Sequence, residues 1–271
     1  MIMEISIKLI KELRRKTGSG FVECKTALQK SNGNLMHAID YLRTLGSCIA
    51  EGKALHSTQF GRIFIYQDSR IGVLLEVNSE TDFVANNDSF KLFGQKIVDF
   101  SGMNKLFQLS ELNKIFDSEK NSYIAKFREN IVIQRIQHVI GDQIGSYNHL
   151  GKIGVVLSGT ISSLKSKDKN LKYIAMHIAA SKPLYLTEKE IPEDALTRER
   201  NIQQKIAEKT GKNAHVLDAI VSGRMNKYIN DITLMRQNFI INPKIIVGEY
   251  LKENNISINS FVRFQVGDNI V

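Results

Sequence analysis

One short pattern occurs twice in this chain and limits what it can fold into. Arg70-Ile71-Gly72-Val73-Leu74-Leu75 is echoed by Lys152-Ile153-Gly154-Val155-Val156-Leu157. Both stretches have the apolar, β-branched composition of a buried strand. Each is followed by a loop and then by apolar residues at helical spacing: Phe90, Phe93 and Ile97 after the first, Leu171, Ile174, Ala175 and Ile178 after the second. The offsets from glycine to helix are nearly equal. A repeated strand–loop–helix plan predicts two related α+β halves. Chance likeness of two buried strands is the competing reading.

Upstream of the first half, the spacing predicts three short helices. Ser6 is placed to cap the first, which carries Ile5, Leu9, Ile10 and Leu13 and ends at Thr17-Gly18-Ser19-Gly20. Phe21 to Lys30 forms the second, with Phe21, Cys24, Ala27 and Leu28 at helical spacing. After an Asn32-Gly33 turn, Asn34 caps a third with Leu35, Ala38, Ile39 and Leu42 on one face, and Gly46 is expected to close it. Such a unit buries little apolar area and is expected to be only marginally stable alone.

Further along, Gly61 to Tyr66 and Ile71 to Asn78 read as strands joined by a turn at Asp68-Ser69. Ser79 to Asp88 reads as a loop. An insertion divides the second half. Pro192-Glu193-Asp194 starts a helix and Lys209-Thr210-Gly211 stops it. The next helix runs from about Asn213 to Tyr228 with Leu217, Val221, Met225 and Tyr228 on one face, whereas the first offers only Ala195, Ile202 and Ile206. Thin stripes and a short connection predict an antiparallel pair, with Gly211 at its tip. Lys244 to Glu253 reads as a last helix and Phe261 to Val266 as a last strand.

Composition excludes several classes. Apolar residues make up 42% and charged residues 24%, ordinary for a soluble globular protein. The apolar runs are far shorter than the ~20 residues that span a bilayer, and Met1-Ile2-Met3-Glu4 lacks the features of a secretory signal. The only cysteines, Cys24 and Cys48, support neither a disulfide framework nor a zinc ribbon, so a cytoplasmic protein is expected. Thirty-seven Lys and Arg against 28 Asp and Glu give a net charge of +9. That balance suits an acidic protein partner or nonspecific RNA binding. The basic residues are dispersed, however, and no aromatic–basic RNA-recognition motif occurs.

Signs of covalent chemistry are missing. Gly46 to Lys53 is one residue too long for a phosphate loop and is followed by Ala54 instead of Ser or Thr. The six histidines show no metal-ligand spacing, and His177, on an apolar helix, reads as a packed residue. The segment Glu76-Val77-Asn78-Ser79-Glu80-Thr81-Asp82-Phe83-Val84-Ala85-Asn86-Asn87 is unusual, because a polar loop carries the apolar pair Phe83-Val84. Loop chemistry alone leaves two readings of Phe83: a core anchor folded back, or an aromatic presented for binding.

Thr81-Asp82-Phe83-Val84 after Glu76-Val77-Asn78 resembles the hallmark of the elongation factor Ts family. Thr17-Gly18-Ser19-Gly20, Cys24-Lys25 and Ala27-Leu28 resemble that family's N-terminal domain. Gly145-Ser146-Tyr147-Asn148-His149, Met176-His177-Ile178-Ala179-Ala180-Ser181-Lys182-Pro183 and Gly223-Arg224-Met225 resemble its core and helical projection. The resemblance covers nearly the whole chain. It implies an α+β fold with an N-terminal three-helix ubiquitin-associated-like domain (1–54) and a core of two similar α+β subdomains. The first subdomain would span 55–142 and the second 143–186 with 227–271, with an antiparallel coiled-coil protrusion over 187–226.

It further implies a guanine-nucleotide exchange factor, not an enzyme. The partner would be elongation factor Tu, GDP-bound and nucleotide-free, with no cofactor, membrane or specific nucleic acid. Thr81, Asp82, Phe83 and Val84 would dislocate Mg²⁺ from elongation factor Tu. Phe21, Val22, Lys25, His149, Ile240 and Ile241 match partner-binding positions. A basic RNA-binding protein is the alternative.

Overall fold

The computed structural model describes residues 5–162, 167–209 and 213–268. It mixes helices with two three-stranded sheets and a two-stranded one in an α+β arrangement. The chain divides into two units. One holds the chain up to Tyr66, Val73–Gln137 and the segment from Phe264 on; the other holds Gln67–Gly72 and His138–Arg263.

The first unit begins with α1 (Ile7–Thr17), α2 (Phe21–Lys30) and α3 (Leu35–Lys53). Ser6 Oγ accepts the Leu9 N–H at 3.3 Å and Asn34 Oδ1 accepts the His37 N–H at 3.1 Å, capping α1 and α3. Ile10, Leu13, Cys24, Ala27, Leu28, Ala38 and Leu42 form the core of these helices. Gly46 does not close α3, contrary to expectation. The helix continues to Lys53, and Gly46 is buried where a Cβ would stand 3.5 Å from the Asn121 carbonyl and 3.7 Å from Ala125 Cβ. Both belong to α6 (Leu109–Phe127), a helix the patterning had not singled out.

Next come β1 (Phe60–Gln67), β2 (Ile71–Ser79) and β3 (Ile131–Ile140), which form a sheet in the order β1-β2-β3. Asp68 Oδ1 accepts the N–H groups of Arg70 and Ile71, both at 2.7 Å, and so makes the expected turn. The segment expected to be a loop contains α4 (Asp82–Asn86), and α5 (Asp88–Asn104) follows at once. Thr81 caps α4 and Asn87 caps α5, so two closely spaced caps make a helical turn where composition suggested irregular chain. Phe90, Phe93 and Ile97 of α5 are buried as the spacing predicts. Arg135 on β3 pairs with buried Glu76 on β2 at 2.7 Å.

In the second unit β4 (Gln143–His149) and β5 (Ile153–Ile161) form a sheet with β8 (Ile256–Gln265), which belongs to this unit up to Arg263, in the order β4-β5-β8. β4 and β5 are antiparallel, from Gln143 opposite Gly159 to His149 opposite Ile153. The two echoed stretches are β2 and β5, each nine residues long and each central in its sheet. α7 (Lys167–Ser181) contributes Leu171, Ile174, Ala175 and Ile178 to the core with Val155 and Leu157.

Lys244 is not helical as expected. β6 (Asn238–Phe239) pairs with β7 (Asn242–Ile246), and α10 (Val247–Glu253) starts only where Glu249 accepts the Ile246 N–H at 3.2 Å. The β-branched pair Ile245-Ile246 favours the strand. The last strand also begins earlier than expected, at Ile256.

The insertion forms α8 (Glu193–Glu208) and α9 (Ala214–Ile232). They pack through Ala207, Val221 and Met225, flanked by Leu196, Leu217, Ile220 and Tyr228. The expected face of α9 is thus the observed one, whereas that of α8 is rotated. Ile202 and Ile206 are exposed, while Leu196 and Ala207 face the partner helix. A small residue at 207 lets the helices approach, which matters more here than side-chain size. The expected stop at Thr210-Gly211 lies outside the described residues.

Candidate functional site

Within the first unit the distinctive segment is built by its own caps and by partners far along the chain. Thr81 Oγ1 accepts the Val84 N–H at 3.4 Å, and Ser79 Oγ donates to the Thr81 carbonyl at 2.9 Å. The Glu129 carboxylate accepts the Thr81 N–H at 3.0 Å and the Thr81 hydroxyl at 2.7 Å, so both oxygens clamp one residue. Beneath this turn Val84 and Ala85 are buried, whereas Asp82 is exposed and Phe83 is 84% exposed. The core-anchor role therefore falls to Val84, and Phe83 stands outside.

Glu80 supports the turn from the other side. Its Oε1 accepts the Asn130 N–H at 2.7 Å, and His56 Nδ1 and Lys53 Nζ lie 3.1 and 3.7 Å from its carboxylate oxygens. Burial opposes ionisation of Glu80, but the Asn130 amide, the His56 ring and Lys53 outweigh it and hold the carboxyl below the usual range. Asn130 also donates to the Ala54 and His56 carbonyls, at 3.4 and 3.0 Å.

Three successive residues organise this surface. Arg128 ends α6 in the left-handed region (φ 59°), which turns the chain so that Glu129 meets Thr81 and Asn130 meets Glu80. Arg128 itself pairs with Glu23 of α2, whose other oxygen accepts the Gly20 N–H at 3.2 Å. The N-terminal half of α2 carries Phe21, Val22 and Lys25, all exposed. Arg128-Glu129-Asn130 thus links the α2 candidates to the Thr81–Val84 candidates within one unit. Sequence reasoning missed these residues. Glu129 is 48 positions from Thr81, and no local pattern signals the pairing.

The remaining candidates belong to the second unit. His149 ends β4, exposed, with Tyr147 Oη 3.1 Å from its Nδ1. Ile240 and Ile241 form the turn between β6 and β7 and are about half exposed. Buried His177 holds that turn. The Ile240 N–H donates to its Nδ1 at 3.2 Å, so Nε2 carries the proton and donates to Gln237 Oε1 at 2.9 Å. Gln237 in turn donates to the Asp231 and Ser181 carbonyls, at 2.6 and 3.3 Å. Burial lowers the His177 pKa, which the Gln237 bond only partly opposes, so the ring is neutral. His177 is the packed residue the sequence suggests, with the added task of positioning Ile240.

Among the described residues no group of three or more His, Cys, Asp or Glu is placed to hold a metal ion. No helix among them is long and apolar enough to cross a membrane. In each unit the candidate residues include exposed apolar side chains, Phe21, Val22 and Phe83 in the first and Ile240 and Ile241 in the second, with Phe83 and Ile240 on short, hydrogen-bonded supports.

Comparison with known proteins covers the whole region. Residues 80–268 match the family model described as Elongation factor TS. A relative named Elongation factor Ts from Buchnera aphidicola subsp. Cinara cedri is 57% identical over 271 residues, covering 99% of this chain and 98% of the relative. Relatives of the same name are 39% identical in Photorhabdus laumondii (98% of this chain, 93% of the relative) and 40% identical in Vibrio vulnificus (99% and 94%).

Proposed function

Because the chain belongs to the elongation factor Ts family, we propose that it is the guanine-nucleotide exchange factor for elongation factor Tu in translation elongation. It binds the GDP complex of elongation factor Tu and promotes GDP release so that GTP can bind, and it performs no covalent step itself. The observation that carries this reading is the presentation of Phe83, 84% exposed on a turn clamped by Glu129 and anchored by buried Val84. An exposed aromatic on a pre-ordered support loses little conformational entropy on binding.

In this reading Asp82 and Phe83 press on the GTPase domain of elongation factor Tu and disturb its Mg²⁺ site, while Thr81 and Val84 hold them in place. Loss of the metal removes the largest local positive charge from the GDP phosphates, so the nucleotide dissociates. Phe21, Val22 and Lys25 contact the same domain, and His149, Ile240 and Ile241 engage elongation factor Tu elsewhere. The coupling is reciprocal: the factor weakens GDP binding by the ratio by which GDP weakens binding of the factor.

The architecture that accompanies this function is a three-helix ubiquitin-associated-like domain over 1–54 and two similar α+β subdomains, 55–142 and 143–186 with 227–271. An antiparallel coiled-coil protrusion spans 187–226, and the protein acts in the cytoplasm. The like placement of β2 and β5 at the centres of their sheets supports the duplication. Release of fluorescent GDP from elongation factor Tu, with and without the chain, tests the function. Acceleration is expected, and an unchanged release rate removes the proposal.

A further inference from the structure

The turn between β4 and β5 contains a residue that turn chemistry disfavours. The Lys152 N–H donates to the His149 carbonyl at 2.9 Å, and the two residues between them are both left-handed, Leu150 at φ 54° and Gly151 at φ 73°. Positive φ at both central positions is the type I′ arrangement, which favours Asn, Asp and Gly because a Cβ crowds the backbone there. Gly151 meets that demand, and Asn148 Oδ1 reinforces the turn by accepting the Gly151 N–H at 2.7 Å. Leu150 does not meet it.

Burial does not offset the strain, because Leu150 is 76% exposed. The other non-glycine residues at positive φ among the described residues are Asn32, Lys105, Arg128, Lys182 and Asn255, all polar. Leu150 alone joins a left-handed backbone to an exposed apolar side chain. Strain of this kind persists where surrounding structure enforces it, and it concentrates at binding sites. Here the paired strands enforce it, and the residue beside Leu150 is His149.

We propose that Leu150 is a partner-binding residue, an apolar knob that enters a pocket on elongation factor Tu alongside His149. The inference rests on the exchange-factor reading and adds to it a contact that the motifs did not supply. A folded protein surface is the occupant that fits. The Leu150 side chain projects from an exposed turn and, being pure hydrocarbon, carries no polar atom with which to recognise a nucleic acid or a polar small molecule.

The test compares the full-length parent with Leu150→Asn and Leu150→Met in binding to nucleotide-free elongation factor Tu, in GDP release and in thermal melts. Asn is close in size and suits the left-handed position, so Leu150→Asn is expected to melt at or above the parent temperature. Its affinity is expected to fall by about tenfold to a hundredfold, the range for losing one buried leucine side chain. Leu150→Met keeps an apolar knob and is expected to bind within about threefold of the parent. A parent that binds and accelerates release, with Leu150→Asn binding within about twofold of it, overturns the inference and leaves the exchange-factor reading standing. Equal losses in both variants overturn the apolar-pocket assignment. A parent that neither binds nor accelerates release overturns the exchange-factor reading and this inference together.

Discussion

Phe83 and Val84 are neighbours in sequence and sit in opposite environments, 84% and 7% exposed. The capped first turn of α4 sorts them, turning one side chain inward and the other out. Phe83→Ala is therefore expected to change folding stability by well under about 1 kcal/mol, as at surface sites. A core phenylalanine would cost about 3–5 kcal/mol. Exchange should suffer instead, by up to about a hundredfold, if Phe83 buries its ring in elongation factor Tu. Melts and GDP-release rates on one preparation decide it: a large fall in melting temperature with normal exchange would make Phe83 a core residue after all. His177 makes a second prediction, on pH. Its native pKa lies below the ordinary value of about 6.5, so on acidification the unfolded chain takes up the proton first. Its contribution to stability is present above about pH 6.5 and is lost as the pH falls through the lowered native value. His138, whose pKa partial desolvation also lowers, acts in the same direction, and Glu80, also lowered, follows at more acidic pH. Denaturant titrations from pH 7 to 5 should show stability declining, with a shallower slope in His177→Asn. An unchanged slope would remove His177 as a source of the dependence.

At the scale of elements, glycines inside helices mark two different kinds of contact. Gly46 of α3 lies against α6 with room for a methyl group, its would-be Cβ at ordinary contact distances of 3.5 and 3.7 Å. Gly94 and Gly102 of α5 lie under Phe64 and Tyr66 of β1, where a Cβ would overlap the rings. The same substitution should therefore have opposite signs. Gly46→Ala is expected to stabilise by about 0.5–1 kcal/mol through helix propensity. Gly94→Ala is expected to destabilise by about 1–3 kcal/mol, because buried Phe64 cannot move aside without disturbing the sheet. Urea midpoints of the two variants check both signs, and stabilisation by both would mean the α5–β1 packing is looser than described.

At the scale of the whole molecule, the α8–α9 pair is held mainly by its own cluster of Ala207, Val221 and Met225. That cluster is separate from the core of Val155, Leu157, Ile174 and Ile178. Replacing residues 192–226 with a short Gly/Ser linker is therefore expected to leave cooperative thermal unfolding intact and to weaken binding to elongation factor Tu. Calorimetry of that variant is the check, and loss of its cooperative transition would show that the pair supports the rest of the fold. The connection costs little in closure entropy, since that term grows only slowly with loop length.

The helices and strands with strong periodicity and good caps were legible in sequence. Ser6 and Asn34 announce α1 and α3, Asp68 announces the β1–β2 turn, and the echoed strands proved to be the centres of two sheets. Several whole-chain motifs were enough to name the family. Local pattern failed where a distant partner decides the outcome. Gly46 reads as a stop because a glycine near a helix end usually is one, and only α6 explains why the helix passes through it. Ile202 and Ile206 read as the inner face of α8 because they are large and apolar, but close approach of α9 selects Ala207 instead. The candidate site divides the same way. Its residue types stand in the sequence, whereas the direction of Phe83 depends on Glu129, 48 residues away, and that of Ile240 on His177, 63 residues away. Periodicity records which face of an element is apolar. Which side chain is left outside is decided by long-range hydrogen bonds and packing, which exist only once the chain has folded.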